Sequence, residues 1–246
     1  MSVDSQRYWA LMLLEDSVAG TRAALDALLE SYKQKNHERW LKIKPTWDDD
    51  TIATEEKGKI IMSYEKIHPP FIALYRVLLP EIEFLGQCLD GSSSGSAGAV
   101  RFIKKYFSLV NPEYMRKGVL IWAIFRASVI HQGSIIKAFS YKGKKVGVGY
   151  AIGAPESHLE FDIENNCMKI DMPTLISDFH KASDLYIEDI QSNDELVMNF
   201  DKYFHYLIDQ SKNEQLDLEK YRIKNKWIAD NDLDILNATT HNLMKD

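Results

Sequence analysis

Arg126 and His131, separated by Ala-Ser-Val-Ile, are the pair in this chain best suited to chemistry. A histidine titrates near pH 6.5 and can take or give a proton at neutral pH. An arginine can hold a phosphate with two parallel N–H bonds and stabilise charge that builds up on it. The charge around them fits an anionic ligand. From Arg101 to Pro155 the basic residues are Arg101, Lys104, Lys105, Arg116, Lys117, Arg126, Lys137, Lys142, Lys144 and Lys145, against the single acid Glu113, a local +9. The whole chain is −6, so the remainder is −15. Arg101, Lys104, Lys105, Lys137, Lys142, Lys144 and Lys145 are therefore the candidate phosphate-attracting residues, with an attraction that salt weakens. The competing reading is architectural: acidic helices elsewhere neutralise the basic segment and Arg126, and His131 bonds a carbonyl at a helix end.

Spacing constrains how the pair could act. Five residues on a regular helix correspond to about 140° of rotation, so Arg126 and His131 do not share a face there. Gly133 is a helix terminator that can loosen the last turn around His131, and a dimer could instead bring the two groups together across an interface. The helix that carries them, Tyr114 to His131, has apolar residues all round (Val119, Leu120, Ile121, Trp122, Ala123, Ile124, Phe125, Val129, Ile130) and is expected to be buried on several faces.

Other candidates point to architecture. Asp201 with His205 stand at i,i+4, and Asp178 lies near His180, but neither has a third ligand at metal-binding spacing. His37-Glu38 lacks the second histidine of a zinc-protease helix. Asp48-Asp49-Asp50 reads as a solvated loop. The stretch from Gly91 to Gly98 reads as a flexible loop, since Ala99-Val100 stand where a phosphate loop needs Lys and Ser or Thr. Two cysteines, Cys88 and Cys167, supply neither a disulfide framework nor a zinc set. Trp40, Trp47 and Tyr64 could stack bases but fit core packing as well. No metal and no cofactor is expected.

The elements that must position these residues are mainly helical. Helical periodicity runs from about Ser5 to Trp40, with Gly20 able to bend or divide it and Pro45 marking a loop. A second apolar helix spans about Phe71 to Leu89, kinked or split at Pro80. A short basic helix covers about Val100 to Leu109. Period-two alternation at Val146, Val148, Tyr150 and Ile152, and again at Leu159, Phe161 and Ile163, reads as strands. A turn at Asn165-Asn166 returns the chain along Cys167 to Asp171, giving a small antiparallel sheet of about three strands. Helices resume over about Thr174 to Gln191 and Asp194 to Lys212, with a shorter element near Leu218 to Ala229. The regions are 1–66 (N-terminal helices), 67–140 (motif region), 141–172 (sheet) and 173–246 (C-terminal helices), expected to form one compact domain overall.

The segment Phe125-Arg126-Ala-Ser-Val-Ile-His131-Gln132 resembles the R-x4-6-H motif of the HEPN superfamily (higher eukaryotes and prokaryotes nucleotide-binding domains). The resemblance extends loosely from about Phe71 to Ser140, in the order helix, Gly/Ser-rich loop, basic helix (Arg101-Phe-Ile-Lys-Lys-Tyr-Phe107) and motif helix. It implies a helical bundle, often dimeric, with Arg126 and His131 as the functional pair. It further implies either a metal-independent ribonuclease or a member that only binds a nucleotide or a protein partner. In the first case His131 would exchange protons with the ribose 2′-OH or the leaving 5′-oxygen and Arg126 would hold the phosphate, leaving a 2′,3′-cyclic phosphate and a 5′-hydroxyl. Ala127 stands where active nucleases of the family commonly carry a polar residue, which keeps the binding-only alternative open. RNA, a second copy of the chain and a protein partner are the expected partners.

At 246 residues, 45% of them hydrophobic, the chain can bury a sizeable core. Its longest apolar run, Val119 to Phe125, is far short of the roughly 20 residues that cross a bilayer. A cytoplasmic protein without membrane contact is expected.

Overall fold

The structure is a computed structural model that describes residues 2–47, 70–125, 138–141, 144–151, 154–162 and 167–213. It is mainly helical. Met1–Phe204 form one compact unit and His205–Asp246 a second, whose described part, residues 205–213, is the end of the last described helix. No described helix is long and apolar enough to cross a membrane.

Helix α1 (Val3–Trp47) is a single helix. Gly20 neither bends nor divides it: a Cβ there would meet nothing within 4 Å. Pro45 does not end it either, because a proline in the last turn forfeits only one hydrogen bond, to the carbonyl of Leu41. Ala10, Leu14, Val18, Leu25 and Leu29 recur every four or seven residues and form its buried stripe. That stripe packs on α2 (Pro70–Asp90) and on α6 (Met172–Ser192). Two polar clasps fix the packing. Ser17 and Thr21 donate to the buried Glu81 carboxylate of α2 at 2.9 and 3.1 Å. Arg22 donates to the His180 carbonyl, Ser183 Oγ and Asp184 Oδ1 of α6, each at 2.6 Å.

Pro80 does not split α2. It lies on the exposed face, as does Arg76, whose carbonyl loses the residue-80 N–H and can bond water instead. After α2 the chain turns at Gly91 (φ 63°) and Gly95 (φ 52°), left-handed conformations suited to glycine. The helix then resumes at Ser96, so the last residues of the expected Gly91–Gly98 loop belong to α3 (Ser96–Phe102). Gly98 is a packing residue: a Cβ on Gly86 of α2 would stand 2.3 Å from the Gly98 carbonyl carbon. The two helix backbones therefore touch where neither carries a side chain.

α3 runs directly into a π-helical segment, Ile103–Phe107, and one further turn, α4 (Ser108–Val110). Phe102, Tyr106 and Phe107 interlock with Tyr186 of α6 and Tyr114 of α5 (Glu113–Phe125), with ring centroids 5.0–6.2 Å apart. α5 is more one-sided than its composition implies. Tyr114, Gly118, Ile121 and Trp122 form its buried stripe, while Met115, Val119 and Ala123 are exposed among the described residues.

The described strands are β1 (Ala138–Tyr141), β2 (Lys144–Ala151), β3 (Phe161–Asp162) and β4 (Cys167–Asp171), in the order β1-β2-β4-β3. β1–β2 and β3–β4 pair antiparallel, but β2 and β4 run parallel, with Gly147 opposite Cys167 and Ala151 opposite Asp171. The expected three-stranded, all-antiparallel sheet is corrected on this point. Between β2 and β4 the described residues form a 3-10 turn, Pro155–Ser157, and β3. Asp171 ends β4 and caps α6, its Oδ2 accepting from Thr174 N at 3.1 Å. Asn193 then caps α7 (Asp194–Asn213), accepting from Glu195 N at 3.0 Å.

Candidate functional site

Arg101 on α3 and Lys104 and Lys105 in the π segment lie on one surface because they are three and four residues apart. The structure places all three on the wall of an open cleft of about 650 Å³. The rest of the lining comes from the α6–α7 junction, with Asn193, Glu195, Leu196 and Asn199, and from the end of α2, with Leu89 and Asp90. Glycine makes this approach possible, since a Cβ on Gly91 would stand 3.0 Å from Asn199. Asn199 Nδ2 in turn donates to the Leu89 carbonyl at 3.0 Å, satisfying a carbonyl in the last turn of α2.

The cleft's charges are partly paired. Arg101 donates from Nε to Asp90 Oδ1 at 2.6 Å and from the adjacent Nη2 to Oδ2. Burial pushes the Asp90 carboxyl up, but Arg101 and Ser94 outweigh it and hold the group below the usual carboxylate range. Lys105 lies 3.2 Å from Asp189 Oδ2 and 4.8 Å from the Tyr106 ring centre, and Tyr106 donates to the same oxygen at 2.8 Å. Among the described residues no carboxylate pairs with Lys104. Acids thus neutralise Arg101 and Lys105 in part, as the architectural reading expects, yet both side chains remain about half exposed.

A second polar constellation lies in the core. Tyr114 on α5 donates to Asp178 Oδ2 on α6 at 2.9 Å and contacts His158 Nε2 at 2.8 Å. The backbone N–H of Asp171 donates to His158 Nδ1 at 3.1 Å. With Nδ1 an acceptor, the neutral ring carries its proton on Nε2 and donates to the tyrosine oxygen. Proton donors therefore run in one direction, from His158 through Tyr114 to Asp178. Desolvation lowers the His158 pKa to about 4 and raises the Asp178 carboxyl above its ordinary range, with the Tyr114 hydrogen bond pulling the carboxyl the other way. Leu159 follows His158 with φ 63°, a conformation leucine rarely adopts. Its amide donates to Lys169 O at 2.8 Å, and its carbonyl accepts from Lys117 of α5. These groups are too enclosed to meet a substrate, and they tie α5 to β4 and α6.

Of the sequence candidates, the structure brings together Arg101, Lys104 and Lys105. Arg126, His131, Lys137 and Lys142 lie outside the described residues, as do Asp48–Asp50, Tyr64, Asn165-Asn166 and the element at 218–229. Lys144 and Lys145 open β2 opposite Tyr141 and Ser140, their side chains outside the description, as are those of Trp40, Trp47 and Cys167. Asp178 is buried instead of metal-seeking, and His180 approaches Asp26 of α1 at 3.8 Å. Asp201 accepts from Gln6 at 2.9 Å. Glu38 accepts from Gln34 at 3.2 Å along the exposed face of α1. Cys88 is buried, and desolvation pushes its thiol up. No group of three or more potential metal ligands occurs among the described residues. The role of His158 was missed because its hydrogen-bond partners are 44 and 13 residues away, and no local pattern announces them. No family model, curated protein or solved structure matches the chain.

Proposed function

We propose that the chain is a HEPN-like, RNA-binding protein that acts as a homodimer in the cytoplasm, with Arg126 and His131 as a metal-independent ribonuclease pair. The observation that supports RNA binding is the convergence of Arg101, Lys104 and Lys105 on one open cleft. Three cations on one wall attract a phosphate backbone without requiring base recognition. Lys137, Lys142, Lys144 and Lys145 would extend that attraction. For cleavage, His131 takes the 2′-OH proton, the 2′-oxygen attacks phosphorus as the P–O5′ bond breaks, Arg126 stabilises the charge on the phosphate, and the departing 5′-oxygen takes a proton from water to leave as the 5′-hydroxyl. The test is cleavage of a mixed pool of labelled RNAs in EDTA by the wild type, Arg126→Ala and His131→Ala, with product ends identified. Cyclic-phosphate ends that vanish in both folded variants support the assignment. Equal products from all three reveal a contaminant and refute it.

The second reading is a catalytically silent module that binds a nucleotide or a protein partner. The pairing of Arg101 with Asp90 and of Lys105 with Asp189 favours it, because these acids lower the field available to a long polyanion. RNA binding without cleavage, or tight association with a protein and no affinity for RNA, would select it.

A further inference from the structure

The cleft has two chemically different sides. Arg101, Lys104 and Lys105 form a cationic wall, whereas Asn193 and Glu195 offer an amide and a carboxylate. A uniformly anionic ligand matches the first side and is repelled by Glu195 on the second. A ligand anionic at one end and rich in hydroxyl or amino donors at the other matches both. The volume of about 650 Å³ is the size of a small-molecule pocket. The backbone supplies an independent indication: Lys104 and Lys105 sit in a π-helical segment, a rare conformation that recurs at functional sites.

From these features we propose that the cleft holds a single ribonucleotide unit. Its phosphate lies against Arg101, Lys104 and Lys105. Its ribose hydroxyls donate to Glu195, and its base lies beside Asn193. The Nε and Nη2 edge of Arg101 faces Asp90, which leaves Nη1 for the phosphate, while Lys104 brings a charge that no described carboxylate neutralises. The unit is either a free nucleotide or one residue of an RNA strand. The inference rests on the RNA-binding reading and sharpens it.

The experiment is calorimetric titration of the full chain at low salt with AMP, its 2′-deoxy counterpart, adenosine and a short RNA. The wild type is compared with Lys104→Ala and Glu195→Ala after circular dichroism has established that both are folded. AMP is expected to bind about tenfold more tightly than adenosine, the worth of one charge-assisted hydrogen bond. Lys104→Ala should remove most of that advantage and leave adenosine unchanged. Glu195→Ala should abolish the preference for AMP over the deoxynucleotide. AMP that displaces the RNA identifies a strand residue, and AMP that binds beside the RNA identifies a free nucleotide; either supports the site. RNA binding with no AMP binding at millimolar concentration overturns this inference alone, whereas no binding of either overturns the RNA-binding reading as well. AMP binding unaffected by Lys104→Ala also overturns the site.

Discussion

Removing the hydroxyl of Tyr114 and that of Tyr186 deletes the same atom from two fully buried tyrosines, with opposite expected consequences. Tyr114 is 1% exposed and Tyr186 0%, so solvent rescues neither. In Tyr114→Phe the Asp178 carboxylate loses a donor at 2.9 Å and His158 Nε2 loses a partner at 2.8 Å. The two cannot replace it by bonding each other, since they stand 3.7 Å apart. Each stranded buried group costs about 1–3 kcal/mol, and the ability of Asp178 to take up a proton offsets part of this. The net loss is about 2–4 kcal/mol. Among the described residues the Tyr186 hydroxyl has no hydrogen-bond partner, so Tyr186→Phe removes a buried polar group that gains nothing from folding. It should leave stability unchanged or raise it by about 1 kcal/mol. Urea unfolding at pH 7, followed by circular dichroism and tryptophan fluorescence, measures both. Losses for the two variants within about 1 kcal/mol of each other would refute the reasoning, because the hydrogen bonds would then count for nothing beyond the ring.

The imidazole of His158 should titrate by NMR near pH 4, far below an exposed histidine. Its folded pKa lies below the unfolded value of about 6.5, so the unfolded chain takes up the proton first and stability falls as pH drops from about 6.5 towards 4, by at most about 3 kcal/mol. Asp178 has the opposite shift and opposes the fall once it begins to protonate; a midpoint near 6.5 would contradict the burial argument. Gly86→Ala should lower the unfolding free energy by about 3 kcal/mol or more, since its Cβ would collide with backbone at 2.3 Å. Gly20→Ala, on an open helical face, should stabilise by about 0.5–1 kcal/mol, and equal effects of the two would remove the case for a backbone-to-backbone contact.

The helices were legible because an apolar stripe repeats locally. The periodicity behind α2, α6 and α7 lies within each segment, and the structure places their ends within two residues of the expected ones. The errors arose where a residue's usual local meaning yielded to its position. Pro45 and Pro80 interrupt helices in general, but one occupies a last turn and the other an exposed face. Gly98 sits in a run whose composition signals a loop, yet its lack of a side chain serves contact with Gly86. The parallel pairing of β2 with β4 depends on a crossover that alternation cannot encode, because period two reveals a strand and not its direction. The basic cluster was legible as charge along the chain. The shape of its cleft depends on Asn193 and Asn199, nearly a hundred residues later.

Leu159 bears on the order in which this structure can assemble. An isolated leucine avoids the left-handed region, so its corner cannot be an early, self-sufficient turn. What holds it there comes from distant segments: the Lys169 carbonyl on β4, the Lys117 ammonium on α5, and the enclosure of its side chain. Closure around Leu159 must therefore follow the meeting of α5 with β4. The corner works as a latch that sets only after its neighbours have docked, and it should be among the first features to open when they part.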